Sequence, residues 1–243
     1  MVDIGGNSLE TVGWTIDETM KVRNVENVRI SPDGRRVLFA VRSALLSGAE
    51  GEYLTQIYSA NADGTNPRPL TESDYSATGA EWSPDGRWIA FLSDQSGKSE
   101  GATLWLIAAS GGKPRPIEVG GTGVMHLKWS PDGTKIAFAM PAPATPAQAE
   151  AQQHPRAPQV VDAGHRNMQL RVIEIASDGS ARGVARALSP GTMNVWTRAE
   201  FGNPFLLGNP FDWAPDGSAI AFAHGVDFFN DWPAMGISRV DVT

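Results

Sequence analysis

Four copies of one short phrase, a Ser-Pro-Asp-Gly or Ala-Pro-Asp-Gly turn between two apolar segments, dominate this sequence. They read VRISPDGRRVLF, EWSPDGRWIAF, LKWSPDGTKIAF and FDWAPDGSAIAF. Pro presets the backbone for the second position of a type I turn, and Asp and Gly suit the two positions that follow. Apolar residues alternate with charged or small ones on both sides of the turn, which predicts a hairpin whose strands each bury one face. A unit repeated at this spacing indicates a repeat architecture.

A third apolar segment follows each hairpin, and three of the four copies continue into a second turn and a short fourth segment. The third segments are residues 56–59, 104–107, 170–175 and 237–242. One repeat is therefore a four-stranded antiparallel sheet of about 45 residues, the size of a propeller blade. We predict an all-β fold, a β-propeller of four-stranded antiparallel blades of which about 3.75 are present.

The repeats define the domain organisation. A lead-in, residues 1–27, precedes a partial propeller, residues 28–243, whose blades we place at about 28–72, 78–119, 124–190 and 208–243. The turn aspartates are 52, 47 and 84 residues apart, and most of the excess in the last interval falls into two insertions, 141–167 and 191–209. Strand alternation puts both insertions on one face, with the first between strands two and three and the second between blades. The first is rich in Pro and Ala and predicts an extended or mobile loop.

The second insertion and the last loop between strands two and three carry the candidate contact residues for a substrate or partner. Function commonly resides on loops that a rigid scaffold positions, and aromatic and arginine side chains are enriched at binding surfaces. An alternative is that this insertion packs as a lid on its own blade. The candidates are Trp196, Arg198, Glu200, Phe201, Phe229 and Trp232. The repeated residues Trp82, Trp129 and Trp213 are instead expected to be packing anchors.

Several classes of function lack support in the sequence. A net charge of -7 argues against a nucleic-acid or membrane partner, because such surfaces select clustered Lys and Arg. There is no Cys and no G-x-S-x-G elbow, and the Gly-rich GGTG precedes a strand, not a helix. The four histidines show no ligand spacing, and we expect each to stand alone: His126, His154, His165 and His224. We predict no catalytic residue, cofactor or metal site in this chain.

The amino-terminal segment bears on the compartment. Residues 1–21 lack the basic start and apolar run of a secretory signal, and no stretch is long and apolar enough for a membrane helix. As written, the chain is expected to be cytoplasmic. A periplasmic location would require that a signal had been removed.

Six segments carry a resemblance to a known family. They are VRISPDGRRVLFAV, AEWSPDGRWIAFLSD, LWLIAASGGKPRPI, LKWSPDGTKIAFAM, PQVVDAGHRNMQLRVIEIASDG and FDWAPDGSAIAF. Together they resemble the N-terminal β-propeller of the prolyl oligopeptidase family of serine peptidases, in its acylaminoacyl- and dipeptidyl-peptidase branch, over residues 14–243. TolB-type propellers are the next closest, because QIYSANADGTNPRPLT would suit one of their blades.

The resemblance implies a ring of about seven or eight blades over a C-terminal α/β-hydrolase domain that bears the catalytic Ser, Asp and His. None of these triad residues can be carried over to this chain, so whether it belongs to an enzyme stays open. The implied role is a non-catalytic portion that filters and orients peptide substrates for the hydrolase domain. Glu200 lies in an insertion comparable to one that supplies acidic substrate contacts in that family.

Two other interpretations remain. The chain could be a TolB-like or free-standing propeller that acts as a protein-interaction scaffold, or a truncated relic without a selected activity. Strand counting adds one expectation that is independent of any family. Unless residues before Val28 supply the missing fourth strand and close a four-bladed ring, the incomplete ring leaves an open sheet edge at residues 237–242 and an uncovered face at Ala221 and Ala223. This predicts self-association or poor solubility.

Overall fold

A computed structural model describes residues 21–45, 52–95, 101–153, 166–195, 209–225 and 236–242, which form four antiparallel sheets. Sheet 1 consists of β1 (Asn24–Ile30), β2 (Arg36–Leu45), β3 (Glu52–Asn61) and β4 (Arg68–Pro69), and sheet 2 of β5 (Ala77–Trp82), β6 (Trp88–Ser93), β7 (Thr103–Ala108) and β8 (Arg115–Ile117). Sheet 3 consists of β9 (Met125–Trp129), β10 (Lys135–Pro141), β11 (Met168–Ile175) and β12 (Ala181–Ala187), and sheet 4 of β13 (Asn194–Val195), β14 (Phe211–Trp213), β15 (Ala219–Gly225) and β16 (Gly236–Asp241). In the described ranges a single helix, α1 (Pro146–Gln153), follows β10. The predicted architecture of four-stranded antiparallel blades is confirmed. No helix in the described part of the chain has the length and apolar character needed to cross a membrane.

The repeated turn is held by its own side chains. In the first copy the Ser31 hydroxyl donates to Asp33 Oδ1 at 2.5 Å, and the Arg35 amide donates to the same oxygen at 3.1 Å. Gly34 closes the turn at φ 70°, a left-handed conformation that favours glycine. These bonds to the ionised carboxylate, with the Ser31 bond the largest, lower the pKa of Asp33. The aspartate of the motif is thus a structural residue.

Consecutive sheets pack face to face through three hydrophobic clusters. At each junction the second strand of the following sheet presents an Ile-x-Phe pair to apolar residues of the preceding sheet, so that Ile89 and Phe91 of sheet 2 pack towards Leu38 of sheet 1. The later junctions pair Ala90 and Leu104 with Ile136 and Phe138, and Ala137 and Leu170 with Ile220 and Phe222. The expected anchors Trp82, Trp129 and Trp213 are buried. Two of them also reach backwards: the Trp82 indole donates to Arg29 O at 3.4 Å and that of Trp213 to Lys128 O at 3.2 Å.

The first strand of sheet 1 departs from the prediction. Its alternating residues were expected to give β1 one buried face, but every residue of the strand is exposed. Val28 and Ile30 remain 56% and 67% exposed. The reason is tertiary: these two residues share the face of sheet 1 that points away from sheet 2, whereas the equivalent Trp82 of sheet 2 has a sheet to pack against.

The first insertion also differs from the prediction of an extended or mobile loop, because Pro146–Gln153 forms α1. Thr145 caps this helix: its hydroxyl accepts from the Gln148 amide at 3.2 Å, and Gln148 Oε1 accepts from the Thr145 amide at 3.0 Å. This reciprocal pair is a capping box, and Pro146 occupies the first helical position, where its missing N–H costs nothing. The signal Thr-Pro-Ala-Gln was therefore readable in the sequence.

The second insertion, predicted to lie between two blades, includes a short strand of sheet 4. Asn194 and Val195 already pair with Gly225 and His224 of β15, on the edge that β14 also uses, because β16 occupies the other edge. The first strand of sheet 4 is thus split into β13 and β14. The corresponding strands of sheets 1, 2 and 3 contain an irregular residue with positive φ, namely Asn27, Gly79 and His126.

Candidate functional site

The residues that the sequence singled out lie outside the described part of the chain. They are Trp196, Arg198, Glu200, Phe201, Phe229 and Trp232. The structure does place the ends of the two loops that carry them. Val195, the last described residue before the first loop, pairs with His224, and Gly225, the last before the second, pairs with Asn194. Both loops therefore leave the scaffold at neighbouring positions, one from the end of β13 and the other from the end of β15.

A cleft of about 440 Å³ lies where the described ends of both insertions meet. Asn167, at the end of the first insertion, donates from Nδ2 to Gly191 O, at the start of the second, at 3.0 Å. The expectation that the insertions share one face holds for these described ends. The cleft is lined by Ala142, Pro143, Thr145, Gln148, Arg166, Asn167, Gln169, Gly191 and Thr192.

The floor of the cleft is fixed by buried polar side chains. Gln169, 8% exposed, donates from Nε2 to Ser189 O at 2.8 Å and accepts from Arg171 Nε at 3.1 Å. Asn194 Oδ1 accepts from the Met168 amide at 2.8 Å. These bonds satisfy backbone groups where the sheet ladder ends, and buried polar groups of this kind are costly to leave unpaired.

Sheet 1 contains the same arrangement, a glutamine side chain that donates to backbone carbonyl oxygens. Gln56 Nε2 donates to Ser73 O at 3.1 Å and to Tyr75 O at 2.8 Å, and it stands one residue before Ile57 as Gln169 stands one residue before Leu170. Because the arrangement recurs in a blade without the large insertion, we assign Gln169 to the scaffold and not to ligand binding.

Arg166 is the charged residue of the cleft lining, and its Nη1 approaches Ala142 O at 3.5 Å. A guanidinium offers planar, paired donors that match a carboxylate or a row of carbonyl oxygens. Arg166 is not among the contact residues predicted from the sequence. Its place in the sequence is the signal that points to it: Arg166 is the last charged residue before β11, at the end of the longest insertion.

The structure brings one histidine and one serine together, contrary to the expectation that His224 stands alone. His224 lies on β15, and its Nε2 is 2.8 Å from the hydroxyl of Ser238 on β16. A catalytic base also needs a third group to orient it, yet His224 Nδ1 is buried without a hydrogen-bond partner among the described residues. The pair thus has two of the three members of a triad-like arrangement. Within the described ranges, no three His, Cys, Asp or Glu side chains group so as to hold a metal ion.

Comparison with known proteins gives one family match and a set of structural likenesses. Residues 18–161 match the model of the TolB beta propeller domain. No curated protein matches the chain. The chain superposes on the acylaminoacyl peptidase of Pyrococcus horikoshii with a TM-score of 0.60 at 14% identity, covering 95% of this chain and 32% of that one.

Two further structures give the same picture. TolB from Acinetobacter baumannii superposes with a TM-score of 0.50 at 17% identity, covering 81% of this chain and 36% of that chain. A structure from a study of two prolyl endopeptidases superposes with a TM-score of 0.56 at 13% identity, covering 92% and 28%. The chain therefore spans about a third of the length of these proteins. Identities this low establish a shared fold.

The family match covers more than half of the sequence, including the first three Pro-Asp-Gly turns and the strands around them. These turns and strands build the stacked antiparallel sheets described above. This chain belongs to the TolB β-propeller domain family.

Proposed function

We propose that this chain is the non-catalytic propeller portion of a peptidase of the prolyl oligopeptidase class, and that it filters and orients peptides for a hydrolase domain. The observation that carries the proposal is the likeness in fold to an acylaminoacyl peptidase over 95% of this chain. The cleft beside α1 supports it, since it lies on the face where both insertions begin and presents Arg166.

In this proposal Arg166 contacts the carboxylate or carbonyl oxygens of a short peptide, while Gln169 and Asn194 keep the cleft in shape from below. The candidates in the adjacent loops, Trp196 and Glu200 among them, supply further contacts. The chain lacks the nucleophile elbow, and bond cleavage is assigned to the partner domain.

Binding of short peptides to the 243-residue chain tests the proposal. Fluorescently labelled peptides of three to six residues, with free or amidated C-termini, are titrated against the wild type, Arg166→Ala and Arg182→Ala. Arg182 is an exposed arginine on β12 of the same sheet and serves as the matched control. We expect saturable binding that Arg166→Ala weakens about 10- to 150-fold and Arg182→Ala leaves unchanged, since a charge-assisted hydrogen bond contributes about 1.5–3 kcal/mol. Equal binding by all three proteins would contradict the assignment of the cleft.

A second candidate function is a TolB-like scaffold for protein interaction, and the family match over residues 18–161 favours it. A scaffold of this kind binds folded partners across a broad surface and shows little affinity for short peptides. If the peptide titrations show no binding while a folded protein partner is retained in a stable complex, the scaffold function replaces the peptidase function.

A further inference from the structure

Another cleft, of about 400 Å³, lies at the junction of sheets 1 and 2. One wall is formed by residues 69–73, at the end of β4 and in the connection to β5, and the other by residues 112–114, in the turn between β7 and β8. Strand β6 contributes Phe91 and Ser93. Small-molecule sites have volumes of about 300–1,000 Å³, so the cleft is large enough for one. Its described lining residues all differ from those of the cleft beside α1.

The wall that follows β4 is held in place by hydrogen bonds to both sheets. The Leu70 amide donates to Ile57 O of sheet 1 at 2.7 Å, and the Ser76 amide donates to Asp94 Oδ1, just after β6 of sheet 2, at 2.8 Å. The Gln56 side chain described above holds the same connection from below. A site whose walls are already fixed loses less conformational freedom when a ligand binds.

Two buried hydroxyl groups border this cleft, and each retains a free donor. Thr71 is 5% exposed, and its Oγ1 accepts from the Ile57 amide at 2.9 Å. Ser93 is 4% exposed, and its Oγ accepts from the Gln95 amide at 3.3 Å. Neither hydroxyl donates to an acceptor in the described part of the chain. Buried donors are rarely left unpaired, so both groups suit a ligand that brings oxygen acceptors.

Opposite charges stand on the two walls. Glu72 is exposed on the wall that follows β4, and Lys113 is exposed on the wall between β7 and β8. Neither forms an ion pair or a hydrogen bond with another residue that the structure describes. The cleft therefore offers a carboxylate to a cationic group and an ammonium group to an anionic one at the same time, which suits a ligand that carries both charges.

The rest of the lining is apolar. Leu70, Ala77 and Phe91 are buried residues that border the cleft, and the rings of Pro69 and Pro114 flank them. Carbon surface of this kind favours an aliphatic group on the ligand, because contact removes apolar area from water.

We propose that this cleft binds a zwitterionic ligand of the amino-acid class, with a free ammonium group, a free carboxylate and an aliphatic side chain. The ammonium group lies at Glu72, the carboxylate at Lys113 and the side chain against Phe91. The hydroxyls of Thr71 and Ser93 donate to oxygens of the ligand. A free amino acid and a dipeptide share this chemistry and differ in the separation of their two charges. The site is independent of the function proposed above, because it uses none of the residues of the cleft beside α1.

A ligand-detected NMR titration of the 243-residue chain tests the proposal. The probes are leucine and leucyl-alanine, each in the free, the N-acetylated and the C-amidated form. We expect at least one of the two free zwitterions to bind saturably, and the tighter of them reports the length of the ligand. Each capped form lacks one of the two ion pairs and should bind at least about fivefold more weakly, which is the upper part of the range for an exposed ion pair.

Variants at the two charged residues assign each end of the ligand. Glu72→Gln should bind the free and the acetylated forms equally while it still discriminates against the amide. Lys113→Gln should show the reverse pattern. Both side chains are exposed, so neither substitution should disturb the fold. Glu118→Gln and Lys21→Gln, at exposed positions outside the cleft, are the matched controls and should keep both differences.

The result can be separated from the peptide titrations described above, because Arg166→Ala should leave the binding of these probes unchanged. Three outcomes would overturn the proposal. They are the absence of saturable binding of either zwitterion at about 10 mM, capped forms that bind as tightly as the free ones, and a Glu72→Gln or Lys113→Gln variant that keeps the discrimination it should lose.

Discussion

Phe138→Ala should remove a large part of the stability of this fold. Phe138 is completely buried and packs between sheets 2 and 3, in the same cluster as Ala90 and Leu104. Truncating a buried Phe to Ala typically costs about 3–5 kcal/mol, the sum of the lost transfer free energy and the cavity left behind. Complete burial at a junction with a sheet on each side puts the expected loss near the upper end of that range. Domains are typically stable by about 5–15 kcal/mol, so the loss is a large fraction of the total.

The repeat supplies a control for this experiment. Phe39 occupies the same position in sheet 1, but it lies on the face that points away from sheet 2 and is only partly buried. Phe39→Ala should therefore cost about 1–2 kcal/mol, since less apolar area returns to water. Urea unfolding followed by tryptophan fluorescence measures both variants. Equal shifts of the urea midpoint for Phe138→Ala and Phe39→Ala would show that packing against a neighbouring sheet does not determine how much stability each Phe contributes.

Three further predictions concern acid stability, the helix cap and reactivity. The pKa of Asp33 is lowered in the fold, first by the hydrogen bond from Ser31 and then by that from Arg35. The ionised carboxylate therefore stabilises the native state above pH 3.8, its ordinary pKa, and this stabilisation is lost as the pH falls below that value. Between about pH 5 and about pH 2 the urea midpoint should fall less steeply for Asp33→Asn, because the amide oxygen still accepts these bonds but does not titrate. Thr145→Ala should lower the stability of α1 by about 1 kcal/mol, because the helix loses its N-terminal cap. Hydrogen exchange at the Ala149 amide, which donates to Thr145 O, should then be roughly fivefold faster, while exchange in β11 stays unchanged. A fluorophosphonate probe should not label Ser238, because His224 has no orienting acid in the described structure; stoichiometric labelling that His224→Ala abolishes would contradict this.

Local chemistry made the blade predictable from sequence. The Ser-Pro-Asp-Gly turn contains its own hydrogen-bond donors and acceptors, and the alternation around it determines which side chains share a face. Both properties depend on neighbours within a few residues, so the hairpins, the third strands and the anchor Trp82 could be predicted. The helix cap of Thr145 is equally local, but it lies in a Pro- and Ala-rich segment whose composition favours a loop.

The candidate site was much less predictable. The residues chosen for their composition, such as Trp196 and Glu200, lie outside the described structure, while the cleft that the structure does show depends on Arg166. Its position results from two insertions separated by 23 residues meeting at Asn167 and Gly191. The His224–Ser238 contact likewise depends on the pairing of β15 with β16. The pattern of residues within one segment does not predict contacts of this kind between segments that are distant in the sequence.

Sequence alone determined which residues form each face of a blade, and only the tertiary structure decided which faces are covered. Ala137 and Ala221 have nearly the same local sequence, Ile-Ala-Phe preceded by a Pro-Asp-Gly turn, yet one is completely buried and the other is exposed. Likewise, Ile30 and Trp82 directly precede equivalent turns, but Ile30 is exposed and Trp82 is buried, because sheet 1 lies against Trp82. The reason is that the alternation of side chains between the two faces of a strand is a property of the backbone. Burial of a face requires a second surface, which residues distant in the sequence must supply.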